Sequence, residues 1–147
     1  EPAEPLSATK SFLFTGGNKT PYPVNRFDSD PERRLAHAMD GKRFPDVLKW
    51  LRPAAGQFSI EYDRNRRYDP DFVVECRDCK MIIEVKASDK MADIEVQEKA
   101  RAAQKWVNVA NGFVNEADGK TWHYVLLDEK NVSQSLTLQS LKSKGEP

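Results

Sequence analysis

The sequence predicts an α/β domain in which α-helices flank a mixed β-sheet. Two β-branched apolar runs, residues 72–74 and 81–85, enclose a short polar segment, a pattern typical of a β-hairpin. A long helical pattern over residues 93–112 then leads into an aromatic and β-branched run over residues 121–127, which completes a strand-helix-strand crossover. Helices and strands in this order predict an α/β sandwich built on one mixed sheet.

The N-terminal part is predicted to be a leader or linker over residues 1–26, followed by one domain over residues 27–147. A short strand is expected at residues 11–15 and a loop at residues 16–25, which contain two glycines and two prolines. Ser29 and Asp30 are candidate caps of a first helix, Pro31 suits its first turn, and Glu32 completes a capping box. Gly41 is expected to end that helix.

The middle of the chain is less regular. Residues 44–51 fit neither the helical nor the strand period cleanly, and we favour a short strand. Trp50 is expected in the core rather than as a base-stacking platform, because large aromatic side chains are mostly buried. Residues 58–62 alternate as a strand does, and residues 63–67 form a basic turn.

The second half contains the clearest helix. Val96, Ala100, Ala103, Val107 and Ala110 recur at helical spacing and form one apolar stripe that suits close packing on a sheet. A glycine at position 112 ends the pattern. Residues 136–144 predict a short terminal helix whose leucines are partly buried.

The amino-acid composition limits the classes of function that the protein can have. The 147 residues match one ordinary domain. Because 23 basic residues balance 23 acidic ones, the net charge is zero, and any DNA binding must come from local patches. No run approaches the roughly twenty apolar residues of a membrane span, and no signal peptide is recognisable, which favours a cytoplasmic protein without a membrane partner. The first residue is Glu1 rather than Met, which suggests a piece of a longer protein.

Cys76 and Cys79 form one Cys-x-x-Cys pair in the predicted hairpin turn. A structural zinc site needs four ligands, and the two histidines, His37 and His123, have the wrong spacing to supply the others. We therefore favour free thiols over zinc ligands. Both histidines are expected to be packed side chains rather than general bases.

The candidate chemistry lies in the hairpin. Side chains on a strand alternate between faces, so Glu84 and Lys86 share one face while Ile83 points to the other. Folding the hairpin brings Asp71, at the start of its first strand, towards Glu84 and Lys86. Two clustered carboxylates repel each other unless a cation lies between them, and Mg²⁺ prefers such oxygen ligands. A neighbouring lysine can hold or help deprotonate an attacking water.

Pro70-Asp71, followed after twelve residues by Glu84-Val85-Lys86, resembles the PD-(D/E)xK signature of the restriction-endonuclease-like nucleases. The resemblance implies a metal-dependent endonuclease that hydrolyses DNA with Mg²⁺, for which Mn²⁺ would substitute. It also implies that Asp71, Glu84 and the backbone carbonyl of Val85 bind the metal, while Lys86 acts on the water.

Several short motifs look most like the C-terminal nuclease domain of the restriction subunit of type III restriction enzymes and related helicase-nucleases. They are Phe27-Asp-Ser-Asp-Pro-Glu32, Trp50-Leu51-Arg52, Tyr68-Asp-Pro-Asp-Phe72, Ile83-Glu-Val-Lys86 and Lys99-x-x-Ala-x-x-x-Trp106. This resemblance implies DNA as substrate, with a helicase or ATPase region of the same longer polypeptide, or a modification subunit, as partner. A homodimer is also compatible with it. No Walker-type loop occurs in the chain, so any ATPase lies elsewhere.

Other polar residues have two interpretations. By resemblance, Glu32 contributes to the metal site, although it can equally cap its own helix, and the two roles are compatible. Polar residues of the basic turn and of the long helix belong either to solvated surfaces or to contacts with DNA phosphates. These candidate DNA contacts are Arg64, Arg66, Arg67, Gln97, Lys99 and Arg101. The chain has Arg101 where the RecB-like branch has the tyrosine of Gln-x-x-x-Tyr, which argues against that branch.

Two rival hypotheses remain open. In the first, the domain retains the nuclease fold as a non-catalytic module for DNA binding or protein interaction. Alternatively, the motif is coincidental, and Glu84 and Lys86 form a surface ion pair worth less than about 1 kcal/mol. The position of the Asp71 carboxylate relative to Glu84 discriminates between these hypotheses and the nuclease.

Overall fold

The structure, a computed structural model, describes residues 12–145, and of Phe12 only the backbone. Its first elements are an antiparallel hairpin of β1 (Phe12–Thr15) and β2 (Val24–Phe27), followed by helix α1 (Asp30–Asp40). The short strand predicted before Gly16 is confirmed by β1. The loop predicted to reach residue 25 was too long, because β2 already begins at Val24 and pairs with Thr15.

The loop of this hairpin is fastened to the C-terminal end of α1. The Lys19 ammonium donates to the carbonyl oxygens of Met39 (2.8 Å), Gly41 (3.1 Å) and Phe44 (2.9 Å). Such cation contacts are favourable where helix carbonyls lack partners. The part of residues 1–26 that the structure describes therefore packs on the domain; the predicted assignment of residues 1–11 lies outside the described residues.

The start and end of α1 agree with the prediction. The Ser29 hydroxyl accepts a hydrogen bond from the Glu32 backbone N–H (3.3 Å) and donates to the Glu32 carboxylate (3.0 Å). Gly41 follows the last helical turn. Of the two candidate caps, Ser29 takes the role, while Asp30 instead pairs with Arg33 and Arg34.

A four-stranded mixed sheet forms the centre of the fold. Its strands are β3 (Val47–Leu51), β6 (Phe72–Cys76), β7 (Cys79–Lys86) and β8 (Thr121–Asp128), in that order across the sheet. β3, β6 and β7 are antiparallel, whereas β8 runs parallel to β7. The predicted short strand before residue 52, the hairpin and the α/β fold with a mixed, helix-flanked sheet are all confirmed.

The remaining elements surround the sheet. Strands β4 (Ile60–Asp63) and β5 (Arg66–Tyr68) form a separate hairpin that packs on helix α2 (Ile94–Asn111), and helix α3 (Leu138–Lys144) packs on β8. The predicted long helix and terminal helix are confirmed. The predicted basic turn was too wide, because the turn itself lies at Arg64 and Asn65, whose φ angles are 29° and 73°, and Arg66 already belongs to a strand.

Hydrophobic cores form on both faces of the sheet. On one face, Trp50, Phe27 and Phe72 stack together beneath α1, and Trp50 is 1% exposed, as expected for a core residue. On the other face, Ala103 and Val107 of α2 pack against the sheet. Within residues 12–145, no helix combines the length and the hydropathy that a membrane span requires.

Cys76 and Cys79 are free thiols, as expected, but both are buried and end the paired strands instead of lying in the turn. The turn consists of Arg77 and Asp78 alone. Hydrogen bonding to the Cys79 thiol, together with burial, raises the pKa of Cys76. The thiol of Cys76 therefore stays protonated at neutral pH.

Candidate active site

The register of the β6–β7 hairpin places the two predicted acids together. Phe72 pairs with Ile83, so Asp71 comes directly opposite Glu84. Side chains of directly opposed residues point to the same face of a sheet. Asp71 is further fixed because its Oδ2 accepts a 2.8 Å hydrogen bond from the backbone N–H of Val85. Asp71 and Glu84 therefore lie together on one face of the sheet, as the predicted site requires.

A small cavity of about 80 Å³ lies at this point, between the sheet, β5 and the first half of α2. It contains all three residues of the predicted motif. The lining consists of Tyr68, Asp69, Asp71, Glu84, Lys86, Val96, Lys99, Tyr124 and Leu126. Because one water occupies about 30 Å³ in the liquid, this volume suits a single ion with a water or two.

Glu84 is the most unusual acid in this cavity. It is only 4% exposed, and its Oε1 is buried without a hydrogen-bond partner among the described residues. Burial, and secondly the charge of Asp71, raise the pKa of Glu84 to about 8, against the opposing effects of the Tyr68 hydroxyl and the Lys86 ammonium. An unpaired, buried carboxylate oxygen is costly, and a cation would remove that cost.

Asp71 shares this environment. Burial raises its pKa, whereas the Val85 N–H and the positive charges of Lys86 and Arg52 act in the opposite direction. Two adjacent carboxyl groups, both with raised pKa values, form a site that favours either a proton or a metal cation.

The cavity also contains a positively charged side chain, Lys86, and the neutral hydroxyls of Tyr68 and Tyr124. The Lys86 ammonium makes no ion pair within 4.0 Å with any carboxylate of residues 12–145, so it remains available to a ligand. Burial and the neighbouring Glu84 charge raise the pKa values of both Tyr68 and Tyr124, which keeps their hydroxyls protonated. With Asp69 and Lys99, which also line it, the cavity offers three carboxylates beside two ammonium groups and two tyrosine hydroxyls.

A divalent metal ion fits this set of donors. Carboxylate oxygens are the ligands that Mg²⁺ prefers, and it usually binds one or two of them and keeps several waters. Nowhere in residues 12–145 do three or more acidic, histidine or cysteine side chains form a metal-binding group, so the protein would supply the pair Asp71 and Glu84. The Val85 carbonyl as a further ligand stays a prediction.

Glu32 lies near this pair but is already engaged. Its Oε1 accepts a 2.7 Å hydrogen bond from Arg52, whose same nitrogen lies 4.0 Å from Oδ1 of Asp71. Burial, and secondly the Asp71 charge, raise the pKa of Glu32 to about 7. Both predicted interpretations retain support, since Glu32 bonds to the cap residue Ser29 and also belongs to the electrostatic surroundings of Asp71.

Arg52 is the residue that sequence reasoning missed. Its guanidinium donates to Asp28 (3.0 Å) as well as Glu32, and it lies 5.2 Å from the centre of the Phe27 ring. Arg52 directly follows β3, and only the pairing of β3 with β6 brings it beside Asp71. The proximity of Arg52 to Asp28 and Glu32 depends on the packing of α1 on β3, a long-range contact for which the sequence contains no local signal.

The predicted DNA contacts on α2 differ in their position relative to the cavity. Lys99 lines the cavity, with its ammonium 5.2 Å and 5.5 Å from the ring centres of Tyr62 and Tyr68. Gln97 does not reach the cavity, because its amide donates to the Met91 carbonyl (2.7 Å) and holds the segment before the helix.

The remaining predicted contacts lie in or near a second groove, about 810 Å³ in volume, between the β4–β5 hairpin and α2. Arg64, Arg67 and Arg101 line this groove, but so do acidic residues. Arg67 lies 3.9 Å from Glu61, while Arg66, outside the groove lining, pairs with Asp63 and Glu95. The structure brings none of these arginines into the cavity that holds Asp71.

Most of the cavity, apart from Tyr124 and Leu126, belongs to a segment that resembles a known family. Residues 45–111 match the family model described as TnsA-like endonuclease N terminal. This TnsA-like family belongs to the restriction-endonuclease-like superfamily, in agreement with the superfamily that the motif indicates. The TnsA-like segment runs from the residues before β3 to the end of α2 and contains Asp71, Glu84 and Lys86, whereas Glu32 lies outside it. No curated protein matches the chain.

Proposed function

We propose that the domain is a Mg²⁺-dependent DNA endonuclease that hydrolyses phosphodiester bonds and forms the cleavage module of a larger protein. The observation that supports this most strongly is the unpartnered Oε1 of Glu84, buried directly opposite Asp71 and beside Lys86. The resemblance of the same segment to TnsA-like endonucleases supports a nuclease-type activity independently.

Each residue then has a defined role. A bound Mg²⁺ would polarise the scissile phosphate and lower the pKa of a bound water. Asp71 and Glu84 would hold that ion, and the Val85 N–H keeps Asp71 in the orientation required. Lys86, which has no carboxylate partner within 4.0 Å among the described residues, would hold the attacking water by donating to it from its ammonium group. The hydroxyls of Tyr68 and Tyr124 remain protonated beside Glu84, because burial and the Glu84 charge raise their pKa values.

Incubation of the purified chain with supercoiled plasmid tests this proposal. We expect nicking or linearisation with Mg²⁺ or Mn²⁺ and none with EDTA. Asp71→Ala and Lys86→Ala should each abolish cleavage while circular dichroism and thermal unfolding remain close to wild type.

Lys90→Ala is the matched control, because Lys90 is an exposed lysine in the short helical turn that follows β7. It should cleave at the wild-type rate. Cleavage retained by Lys86→Ala would contradict the assigned role. Absence of both cleavage and Mg²⁺ binding in the wild-type chain would favour the non-catalytic module instead.

The setting of the domain in a larger protein is part of the same proposal. With zero net charge the chain lacks a global attraction for DNA, so a helicase or ATPase region of a longer polypeptide, or a modification subunit, would supply affinity. The arrangement proposed is that of type III restriction enzymes and related helicase-nucleases. A homodimer would cut both strands. Co-purification from cells with the full-length gene product checks which of these partners is present.

A further inference from the structure

A third groove carries more uncompensated positive charge than the active-site cavity or the groove beside the β4–β5 hairpin. It lies between α1 and the connection from β8 to α3, and has a volume of about 650 Å³. Five basic side chains line it, and no acidic side chain among residues 12–145 does. They are Arg33, Arg34, His37, Lys42 and Arg43.

The charges of this groove are only partly neutralised. Arg33 and Arg34 share one carboxylate, that of Asp30. Arg43 donates only to main-chain carbonyl oxygens, including that of Ser133 (2.7 Å), and a neutral carbonyl fixes a guanidinium without cancelling its charge. Lys42 has no ion pair within 4.0 Å among the described residues. Four permanent cations therefore face one acid.

The groove beside the β4–β5 hairpin, where sequence reasoning expected DNA, is different. Its four basic residues are accompanied by three acidic ones, Glu61, Asp63 and Glu98. In a protein of zero net charge, such local differences decide where a polyanion binds. The groove along α1 is the stronger candidate on charge alone.

Its position also favours a role near the cleaved bond. β8 ends at Asp128, which pairs with Lys86, so the β8–α3 connection starts at the catalytic end of the sheet. The opposite wall is α1, whose first turn carries Glu32, and Arg52 links Glu32 to Asp71. Both walls of the groove thus begin at the end of the sheet that carries Lys86 and Asp71, although the groove lies on the α1 face of the sheet and the cavity on the α2 face.

We infer that this groove binds the sugar-phosphate backbone of duplex DNA next to the scissile bond, an inference that rests on the proposed nuclease function. Arg33 and His37 lie four residues apart and thus on one face of α1, about 6 Å along its axis. Lys42 follows the helix and extends the same row. Contacts of this kind position the duplex without reading its sequence.

Fluorescence anisotropy with a labelled 20-base-pair duplex, in Ca²⁺ to prevent cleavage and over a range of salt concentrations, tests this inference. The double variant Arg33→Ala/Lys42→Ala should bind about tenfold more weakly, and the slope of log Kd against log salt should fall by about 0.9 for each lost phosphate contact. Both side chains are at least partly exposed, so thermal unfolding should show the variant folded.

The matched control is Lys90→Ala/Lys105→Ala, which removes two exposed cations outside the α1 groove, one of them from the mixed-charge groove. It should change Kd less than twofold. A loss in this control equal to that of the α1 variant, or no loss in either, overturns the inference. So does binding of labelled poly-glutamate, rather than duplex, that depends on Arg33 and Lys42, since that would assign the groove to an acidic protein.

The outcomes also separate this inference from the nuclease proposal. If wild type cleaves plasmid and the α1 double variant binds DNA normally, the groove assignment alone is wrong. If wild type binds DNA through Arg33 and Lys42 but never cleaves with Mg²⁺ or Mn²⁺, the nuclease proposal fails while the groove assignment stands.

Discussion

Asp40 and Glu84 are both buried carboxylates in this domain, yet their surroundings are opposite. Asp40, 8% exposed, accepts hydrogen bonds from the backbone N–H groups of Asn18 and Lys19 and from the Trp50 indole, at 2.8–3.0 Å. Glu84, 4% exposed, keeps one oxygen without a partner.

The pKa values of the two acids follow from this difference. Burial alone would raise the pKa of Asp40, but the hydrogen bonds from Asn18, Lys19 and Trp50 outweigh it and lower the pKa. Burial raises the pKa of Glu84 to about 8 because nothing comparable compensates it. A satisfied acid stabilises a fold, whereas an unsatisfied one is retained where a ligand completes it.

The largest expected effect is the loss of plasmid cleavage when Glu84 is replaced. Glu84→Gln should lower plasmid cleavage about a thousandfold or more, because it removes a charged metal ligand that contributes several kcal/mol to catalysis. Its thermal stability at pH 8 should equal or exceed that of wild type, since the amide carries no buried charge. A variant that cleaves normally would contradict the role assigned to Glu84.

The next effect is on stability. Asp40→Ala should lower the free energy of unfolding by about 3 kcal/mol, because several buried donors lose a charged acceptor. Urea unfolding measures this, with the exposed Asp89→Ala as control. A loss below 1 kcal/mol, on the order of a single neutral hydrogen bond, would show that water replaces the carboxylate.

The two acids should also respond to pH with opposite sign. In the metal-free protein the pKa values of Glu84 and Glu32 rise from 4.5 to about 8 and about 7, so their protonated forms favour the folded state. Their contribution is fully present below pH 4.5 and is lost as the pH rises towards 8.

Thermal unfolding of the metal-free chain should therefore show a falling Tm between pH 5 and 8, and Mg²⁺ should restore it at pH 8. Glu84→Gln should flatten the profile. Asp40 acts in the acid range instead: its lowered pKa provides stability above its unfolded value that is lost as the pH falls. A Tm that is constant from pH 5 to 8 would contradict the assigned burial of Glu84.

The smallest expected effect concerns Arg52. Its positive charge partly compensates the buried negative charge of Glu32, and Glu84 lacks such an ion pair among the described residues. Arg52→Met should destabilise the domain by about 1 to 3 kcal/mol at pH 8, because it leaves a buried carboxylate without its counter-charge. Adding Glu32→Gln should recover most of the loss. Urea unfolding of the two single variants and the double variant measures the coupling, and strictly additive losses would argue against the pair.

The hairpin, the long helix and the three motif residues were accessible from sequence because each depends on local pattern. Strand alternation places Glu84 and Lys86 on one face, and hairpin pairing brings Asp71 opposite. The capping residues at Ser29 and Gly41 likewise act within one turn of α1. Local rules of this kind need no knowledge of distant contacts.

The features that were missed depend on long-range pairing. Arg52 meets Asp71 only because β3 lies beside β6, and β2 forms only by pairing with β1. The basic groove requires α1 to lie against a connection about one hundred residues later, where Arg34 donates to the Val132 carbonyl. The arginines at positions 64, 66 and 67 were prominent in the sequence, but the ion pairs of Arg66 with Asp63 and Glu95 and of Arg67 with Glu61 became visible only in the fold.

Asp71 and Glu84 lie together because they occupy opposed positions of the β6–β7 hairpin, not because of the number of residues between them. Lengthening both strands by equal amounts towards the Arg77–Asp78 turn would leave the two acids face to face. Deleting one residue from β7 would instead turn the carboxylate of Glu84 into the hydrophobic core where Ile83 now lies. The site thus tolerates changes in hairpin length that are equal in the two strands, but not a change in one strand alone.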